Sequence, residues 1–132
     1  MAKLKVSNEE SSQAQCKARL GSIADALYVI GGKWKLRIIV ALTEGSKRFN
    51  ELQRLVEGIS SKVLSTELKE LEMNGFVKRN VYTRTPVIVE YELTDYSNTL
   101  GEVLHALREW GANHRDKIRR ETKLQKSKEA VL

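Results

Sequence analysis

A short stretch near the middle of this 132-residue chain carries polar side chains at a spacing suited to binding chemistry. Two cations and two hydroxyls recur at i, i+3, i+4 and i+7, which puts them on one face of a helix: Lys62, Ser65, Thr66 and Lys69. None of the four is a carboxylate. Such a face suits an anionic partner, and its hydroxyls can form hydrogen bonds to a flat surface. A solvated helix face is the alternative, and the neighbouring elements have to decide.

Residues that serve catalysis or metal binding are sparse and poorly spaced. His105 and His114 are nine residues apart, so they face opposite sides of a helix. Glu102, His105 and Glu109 share a face, which supplies at most half a metal site. No nucleophile–base pair, glycine-rich phosphate loop or dinucleotide fingerprint accompanies them. The sequence therefore predicts a protein that is not an enzyme and uses no metal or cofactor.

Composition narrows the class further. The chain is 41% hydrophobic and 30% charged with one Pro, which is typical of one globular, mostly helical domain. No stretch approaches the roughly 20 apolar residues of a membrane span, and one Cys excludes an internal disulfide, so we expect a cytoplasmic protein with no membrane partner. Of the net charge of +6, residues 115–132 hold seven cations against three acids, whereas residues 46–92 hold eight against seven. Net charge alone is therefore weak support for a nucleic-acid partner.

The element that carries the polar face is a predicted helix within residues 59–75. Leu64, Leu68 and Leu71 lie on its opposite side at i, i+4 and i+7 and should be buried. Ser60 is a suitable N-cap, and Gly75 can adopt the left-handed conformation that ends a helix.

The flanking segments predict a helix-turn-helix followed by a wing. Residues 48–56 form an amphipathic helix with four side chains facing inward: Phe49, Leu52, Leu55 and Val56. A short turn containing Gly58 joins it to the Ser60 helix, and the second helix of such a pair can enter the major groove of DNA. Residues 76–82 and 87–93 are β-branched and aromatic, so they predict a hairpin with Arg84 at its tip.

The two ends of the chain predict dimerisation helices. Residues 1–15 should be flexible, and Ser22 should begin a first helix that ends at Gly31. Residues 33–42 are the central core helix, and a last helix starts at Thr94. The apolar stripe of the last helix exceeds what the core can absorb, so we expect it to pair with a second copy. The predicted interface is Leu27, Leu100, Val103, Leu104, Leu107, Trp110, His114 and Ile118.

The fold class that follows is α+β, mostly α: a winged helix-turn-helix with N- and C-terminal dimerisation helices. Residues 16–114 form the DNA-binding domain with these helices, and residues 115–132 a basic tail, either helical or disordered.

Several motifs, in order, resemble the HxlR-type winged helix-turn-helix regulators. They include Gly31-Gly32-Lys33-Trp34, Arg48-Phe49-Asn50-Glu51-Leu52, Gly58-Ile59-Ser60, Leu68-Lys69-Glu70-Leu71-Glu72 and Val89-Glu90-Tyr91-Glu92-Leu93-Thr94. The likeness runs from about Cys16 to Trp110. It implies a small bacterial, MarR-like transcription factor that dimerises through its terminal helices and binds operator DNA. The chain departs from the family at Lys17, where Pro is common, and near Ser97, where Gly is usual.

On this interpretation the protein is a regulator, with repression as the first hypothesis, that binds a pseudo-palindromic operator as a homodimer. Phosphate contacts set orientation and affinity, whereas contacts to base edges set sequence choice. The predicted DNA-binding residues are Arg48, Ser60, Ser61, Lys62, Ser65, Thr66, Lys69, Arg79 and Arg84. A protein-interaction adaptor that uses the winged domain without DNA is the alternative. The operator sequence, target genes and any small-molecule effector are left open.

Cys16 has two interpretations. A lone cysteine is commonly a small buried hydrophobe. Lys17 and Arg19 lie beside it and favour the reactive thiolate, and in some members of the resembled family a cysteine at this place senses electrophiles or oxidants. Redox sensing through Cys16 is therefore a second hypothesis.

Overall fold

The structure, a computed structural model, describes residues 12–131. It contains five α-helices, one 3₁₀ helix and one hairpin within that range. In chain order they are α1 (Gln13–Ile30), α2 (Lys35–Ala41), α3 (Phe49–Leu55), α4 (Ser61–Met73), β1 (Val77–Tyr82), β2 (Ile88–Leu93), a 3₁₀ helix (Asp95–Leu100) and α5 (Gly101–Val131). This is the α+β, mostly helical, winged helix-turn-helix arrangement that the sequence predicts.

Helix α4 begins and ends where its sequence indicates. The Ser60 hydroxyl accepts a hydrogen bond from the Val63 amide at 3.1 Å, which satisfies one free donor of the first turn. Gly75 has a φ of +82°, so it ends the helix in a conformation that other residues adopt only with strain. Leu64, Leu68 and Leu71 are buried as predicted, and the opposite face is therefore the one left to solvent.

The core lies between α2, α3, α4 and the base of the hairpin. Its buried side chains are Ile38, Ile39, Leu42, Leu52, Val56, Ile59, Leu64, Leu68, Leu71, Phe76, Val77 and Leu100. Gly58 makes the turn from α3 to α4 with a φ of +88°, and a Cβ there would lie 3.7 Å from the Trp34 ring. The two helices are thus joined by a tight turn that requires a left-handed residue.

The hairpin is an antiparallel ladder whose register runs from Val77 opposite Leu93 to Tyr82 opposite Ile88. Its second strand has another neighbour, which the sequence pattern did not predict. Lys47 and Tyr91 exchange two backbone hydrogen bonds, of 2.9 and 2.8 Å, as an isolated antiparallel bridge. The segment that leads into α3 is therefore attached to the wing.

The first helix starts earlier than predicted. It begins at Gln13, where the Ser12 hydroxyl accepts from the Gln15 amide at 3.2 Å, and Ser22 lies in its middle. The Ser22 hydroxyl donates to the Ala18 carbonyl oxygen four residues earlier, which is a bond within a helix rather than a cap. Residues 13–15, predicted to be flexible, are therefore helical, and residues 1–11 lie outside the described part.

Two predicted burial assignments are wrong. Leu55, expected to face the core, is 56% exposed because Leu52 and the C-cap residue Val56, four residues apart, form the buried side of α3 and leave Leu55 outside it. Leu100, expected at the dimer interface, is 8% exposed and belongs to the protomer's own core. The 3₁₀ helix before α5 turns Leu100 inward, whereas α5 itself continues as one helix to Val131.

Candidate nucleic-acid interface

The exposed face of α4 holds the predicted base-contacting residues together. Ser61, Lys62, Thr66 and Lys69 are exposed and Ser65 is half-buried. The Thr66 hydroxyl donates to the Lys62 carbonyl oxygen at 3.1 Å. Its proton is thus used within the helix, which leaves a hydroxyl lone pair and the methyl group for a partner. Side chains of this kind can meet base edges, since a methyl group matches thymine and a lysine can donate to guanine.

The acidic side chains nearest to this face are held to one side by a lysine of α2. Lys35 Nζ lies 2.6 Å from Glu67 Oε2 and 2.9 Å from Glu70 Oε2, and the lysine side chain is only 12% exposed. The contact to Glu70 is a hydrogen bond, and Glu67 Oε2, which is buried, forms a close ion pair with the same ammonium group. The carboxylates therefore turn toward α2 rather than toward the exposed polar face.

Charge and burial act in opposite directions on this cluster. Burial alone would lower the pKa of Lys35, but hydrogen bonds and the negative charges of Glu67 and Glu70 outweigh it and raise that pKa. The hydrogen bond from Lys35, together with its positive charge, lowers the pKa of Glu70. Lys35 and Glu70 consequently stay charged near neutral pH, with the cation between the two acidic side chains.

The start of α4 offers backbone donors as well as side chains. The Val63 amide is capped by Ser60, and the Leu64 amide bonds to the Ser60 carbonyl oxygen at 2.9 Å. Within the described residues, the Ser61 and Lys62 amides make no such bond. Two free N–H groups at the positive end of a 13-residue helix favour a phosphate oxygen.

Arg48 and Arg79 belong to chain segments that flank β2 on its two sides. Arg79 is opposite Tyr91 on β1, and Tyr91 pairs with Lys47, the residue before Arg48. Strands spaced about 4.8 Å apart therefore put Lys47 and Arg79 about 10 Å apart. Both arginines are exposed.

Arg84 stands apart from the other cations. Arg84 is exposed in the loop beyond Tyr82. Its backbone amide donates a hydrogen bond to the Tyr82 carbonyl oxygen at 3.0 Å. Arg79 lies in β1, whereas Arg84 lies beyond the end of that strand, in the turn of the hairpin. The structure thus gives a cluster at α4 and the sheet edge, with a separate cation at the wing tip.

Sequence reasoning missed the Lys35 cluster, although one signal was present. Lys35 precedes Ile38, Ile39 and Leu42 at i+3, i+4 and i+7, so it lies on the buried stripe of its own helix. A cation on such a stripe requires an anionic partner. The pattern does not reveal which acids supply it, because Glu67 and Glu70 are more than thirty residues away along the chain.

The terminal helices expose large apolar side chains. On α1, Leu27 is 62% exposed and follows Cys16, Leu20 and Ile23 at helical spacing, so the thiol lies at the end of an apolar stripe. On α5 the predicted residues Val103, Leu107, Trp110, His114 and Ile118 are all exposed, whereas Leu104 packs partly on the protomer's core. The Trp110 and His114 rings stack with centroids 4.9 Å apart.

Cys16 is exposed in the first turns of α1, so the interpretation of a buried small hydrophobe is wrong for the protomer. Farther along the chain, His105 Nε2 lies 3.5 Å from Glu109 Oε1 on the surface of α5. Across residues 12–131, no three His, Cys, Asp or Glu side chains are placed to hold a metal ion. No helix in the same range is long and apolar enough to cross a bilayer.

Comparison with known proteins found chains of similar sequence and fold. A family model described as HxlR-like helix-turn-helix matches residues 29–119. The HTH-type transcriptional regulator YtcD of Bacillus subtilis (strain 168) is 46% identical over 97 residues, which cover 74% of this chain and 77% of YtcD. A solved structure of a YtcD regulator has a TM-score of 0.69 at 47% identity and covers 71% of this chain and 96% of that chain.

Two further similar structures are of proteins solved in more than one redox condition. The redox regulator HypR in its reduced form has a TM-score of 0.69 at 40% identity and covers 74% of this chain and 97% of that chain. Diamide-treated YodB from B. subtilis has a TM-score of 0.60 at 37% identity and covers 70% of this chain and 91% of that chain.

Proposed function

Since this chain belongs to the HxlR-like helix-turn-helix family of transcriptional regulators, we propose that it binds a pseudo-palindromic operator in double-stranded DNA as a homodimer. The observation that carries the proposal is the exposed face of α4, which presents Lys62, Thr66 and Lys69 while Lys35 holds Glu67 and Glu70 aside. Repression of the adjacent gene is the mode proposed, because a dimer seated on an operator obstructs polymerase. Such a protein acts in the cytoplasm, where bacterial DNA lies.

In the proposed complex α4 lies in the major groove with its N-terminal turn nearest the bases. Lys62 donates to a guanine and the Thr66 methyl group meets a thymine, while Ser61 and Ser65 accept or donate at neighbouring edges. A good base contact is worth about 1–3 kcal/mol of discrimination. The backbone amides after Ser60 bind phosphate, as does Lys69 farther along the helix.

The remaining contacts are proposed for the DNA backbone. Arg48 and Arg79 lie on chain segments about 10 Å apart across the small sheet, and they bind phosphates beside the groove. Arg84 at the wing tip reaches the next phosphate or the minor groove, whose negative potential favours arginine. One protomer offers few contacts, so two half-sites and a two-fold dimer are needed for tight binding.

The proposed dimer buries the apolar faces of the terminal helices. Leu27 on α1 and Leu107 and Trp110 on α5 are between 49% and 66% exposed in the protomer, which is unusual for side chains of this size. Val103, Leu104, His114 and Ile118 continue the α5 face, with Leu104 shared between core and interface. Sedimentation should give a dimer for the wild type, and Trp110→Ala should weaken it, whereas Met73→Ala, at an exposed apolar position on α4, should not.

Redox control through Cys16 is the proposed mode of regulation. The exposed thiol ends the apolar stripe of α1, which the proposed dimer places near the partner. Because the chain has one cysteine, a disulfide must join two protomers or a protomer and a small thiol. In the first case a two-electron oxidant takes one electron pair from the two thiols, which lose two protons as the S–S bond forms. Oxidation should change the operator affinity of the wild type but not of Cys16→Ser.

The direct test is fluorescence anisotropy of the full chain on its own upstream intergenic duplex and on a scrambled duplex, at two salt concentrations. Preference for the native duplex by about 10³-fold or more, with binding that weakens as salt rises, supports the proposal. Equal binding to both duplexes contradicts operator recognition. No binding at either salt concentration instead favours the protein-interaction adaptor, whose apolar contacts depend little on salt.

The role of α4 is tested by selection from random duplexes with Lys62→Ala and a control of equal charge change, Lys128→Ala, at the far end of α5. Lys62→Ala should weaken binding and change base preference at one position in each half-site, and Lys128→Ala should leave the preference unchanged. If both variants select the wild-type sequence, Lys62 does not read bases.

A further inference from the structure

Helix α5 continues well past the compact domain. Leu104 is its last side chain packed against the core, and every residue from His105 to Ala130 is exposed. Residues 115–131 alone extend about 25 Å at 1.5 Å per residue. The proposed contacts of α4 and the wing with DNA give this arm no role.

The cations of the arm are sorted by face. Four of them recur at i, i+4, i+8 and i+11 and form what we call the C-terminal basic stripe: Arg115, Arg119, Lys123 and Lys126. In the described structure none of the four lies within ion-pair distance of a carboxylate. On another side of the arm, Lys117 Nζ lies 3.2 Å from Glu121 Oε1, so cations outside the stripe alternate with acids.

The stripe contains more repulsive than attractive pairs at neighbouring helix positions, since only Asp116 and Glu129 lie three residues from one of its cations. Like charges three or four residues apart repel each other along a helix, and the stripe contains three such steps, from Arg115 to Lys126. A helix face that only has to be solvated is more stable when positive and negative side chains alternate along it, as on the side that carries Lys117 and Glu121. An anionic partner along the stripe removes the repulsion.

The shape of the stripe favours a long polyanion over other partners. It spans about 16 Å, alongside which a DNA duplex carries roughly ten phosphates. The arm lacks the continuous apolar face with which a helix enters a membrane surface, because Ile118 and Leu124 lie on different sides. The partner must therefore be bound by charge.

We propose that the C-terminal basic stripe binds the phosphate backbone of double-stranded DNA outside the operator half-sites. The inference rests on the proposed function, since α4 brings the duplex to the protein and the arm then contacts its flanks. The contact between the stripe and DNA adds affinity and salt dependence. It adds no base specificity, because contacts of arginine and lysine with phosphates carry no sequence information.

The test uses two triple variants of the full chain that remove the same charge from the same arm. Arg119→Gln/Lys123→Gln/Lys126→Gln changes the stripe, and Lys117→Gln/Arg120→Gln/Lys128→Gln is the control. Circular dichroism and sedimentation establish that both retain the helix and the oligomeric state of the wild type. Each protein is titrated onto the operator alone and onto the operator with about 15 base pairs added to each end, between about 50 and 200 mM salt.

The wild type should prefer the long duplex at low salt. With three phosphates bound per protomer and a slope of about −0.9 per phosphate, that preference should fall roughly 40-fold across this salt range for each arm engaged. The stripe variant should lose the preference while it binds the short operator as the wild type does, and the control should keep most of it. Equal loss in both variants, or a wild type indifferent to duplex length, overturns the proposal.

A long scrambled duplex separates this proposal from operator recognition. Whether or not the operator is preferred, the stripe variant should bind the scrambled duplex more weakly than the control does. If the operator is recognised but the two variants bind the scrambled duplex equally, the stripe proposal alone fails. If the operator is not recognised and the variants still differ, the proposed operator function alone fails.

Discussion

Replacing Lys35 with Met should destabilise the fold and, with it, weaken the proposed DNA binding. Met fills much of the volume of the lysine stem but leaves Glu67 and Glu70 without their cation. Glu67 Oε2 is fully covered and lies 2.6 Å from Lys35 Nζ, and Glu70 Oε2 lies 2.9 Å from the same nitrogen. A charged group left buried without its partner costs about 1–3 kcal/mol or more. Because the cluster is partly open to water, we expect about 2 kcal/mol, measured by urea unfolding at fixed protomer concentration.

The pH dependence of this loss has a definite sign. In the wild type the pKa of Glu70 is lowered, so its contribution to stability is present above the ordinary glutamate value of 4.5 and is lost as the pH falls through the lowered value. The raised pKa of Lys35 gives a contribution that is present below the ordinary lysine value and is lost at higher pH. In the variant, the negative charges of Glu67 and Glu70 repel each other, and this repulsion lowers the stability of the fold. The difference in stability should therefore be largest near neutral pH and shrink as the pH falls through the lowered pKa of Glu70.

Two further variants can refute this reasoning. Lys128→Met removes an exposed cation that makes no ion pair in the described structure, and it should change stability little. Lys35→Met/Glu67→Gln should recover part of the loss, because the buried negative charge is removed as well. If Lys35→Met is no less stable than Lys128→Met, or the double variant recovers nothing, the cluster does not stabilise α4.

Three smaller predictions concern α4 and its surroundings, each measured by urea unfolding. Ser60→Ala should cost about 1 kcal/mol and Ser60→Gly only a few tenths, because glycine tolerates the N-cap position; equal losses contradict the cap. Leu64→Ala should cost about 2–5 kcal/mol, whereas Leu55→Ala, at a half-exposed position, should cost far less. Gly58→Ala should cost about 1–3 kcal/mol because its φ is +88°, while Gly101→Ala, at a helical φ in open space, should be neutral or stabilising.

Helices with a clear apolar stripe and a cap were predictable from the sequence. The leucines of α4, with Ser60 before them and Gly75 after them, give both ends and the buried face of that helix, and the structure agrees. The hairpin was predictable for the same reason, since β-branched and aromatic residues cluster on both sides of a polar loop. Because the leucine pattern fixes the buried side of α4, it also fixes which polar side chains of that helix are exposed.

Other features had no local signal. The first half of α1 is exposed on nearly all sides, so no buried stripe marks it, and the prediction settled on Ser22 instead of Ser12. The bridge between Lys47 and Tyr91 joins single residues, which have no periodicity. Leu100 follows the spacing of the α5 stripe, but a 3₁₀ turn intervenes and changes its direction. These features depend on contacts between distant segments.

The bridge between Lys47 and Tyr91 also has a mechanical consequence. Its two hydrogen bonds fasten the ends of residues 47–91 to each other, so α3, α4 and the hairpin form a closed ring of chain. The bridge holds the segment before α3 against the second strand of the wing. Relative motion of the segment before α3 and the wing would have to break both hydrogen bonds. In the proposed dimer, the distance between the two rings would decide whether both fit successive turns of the same duplex.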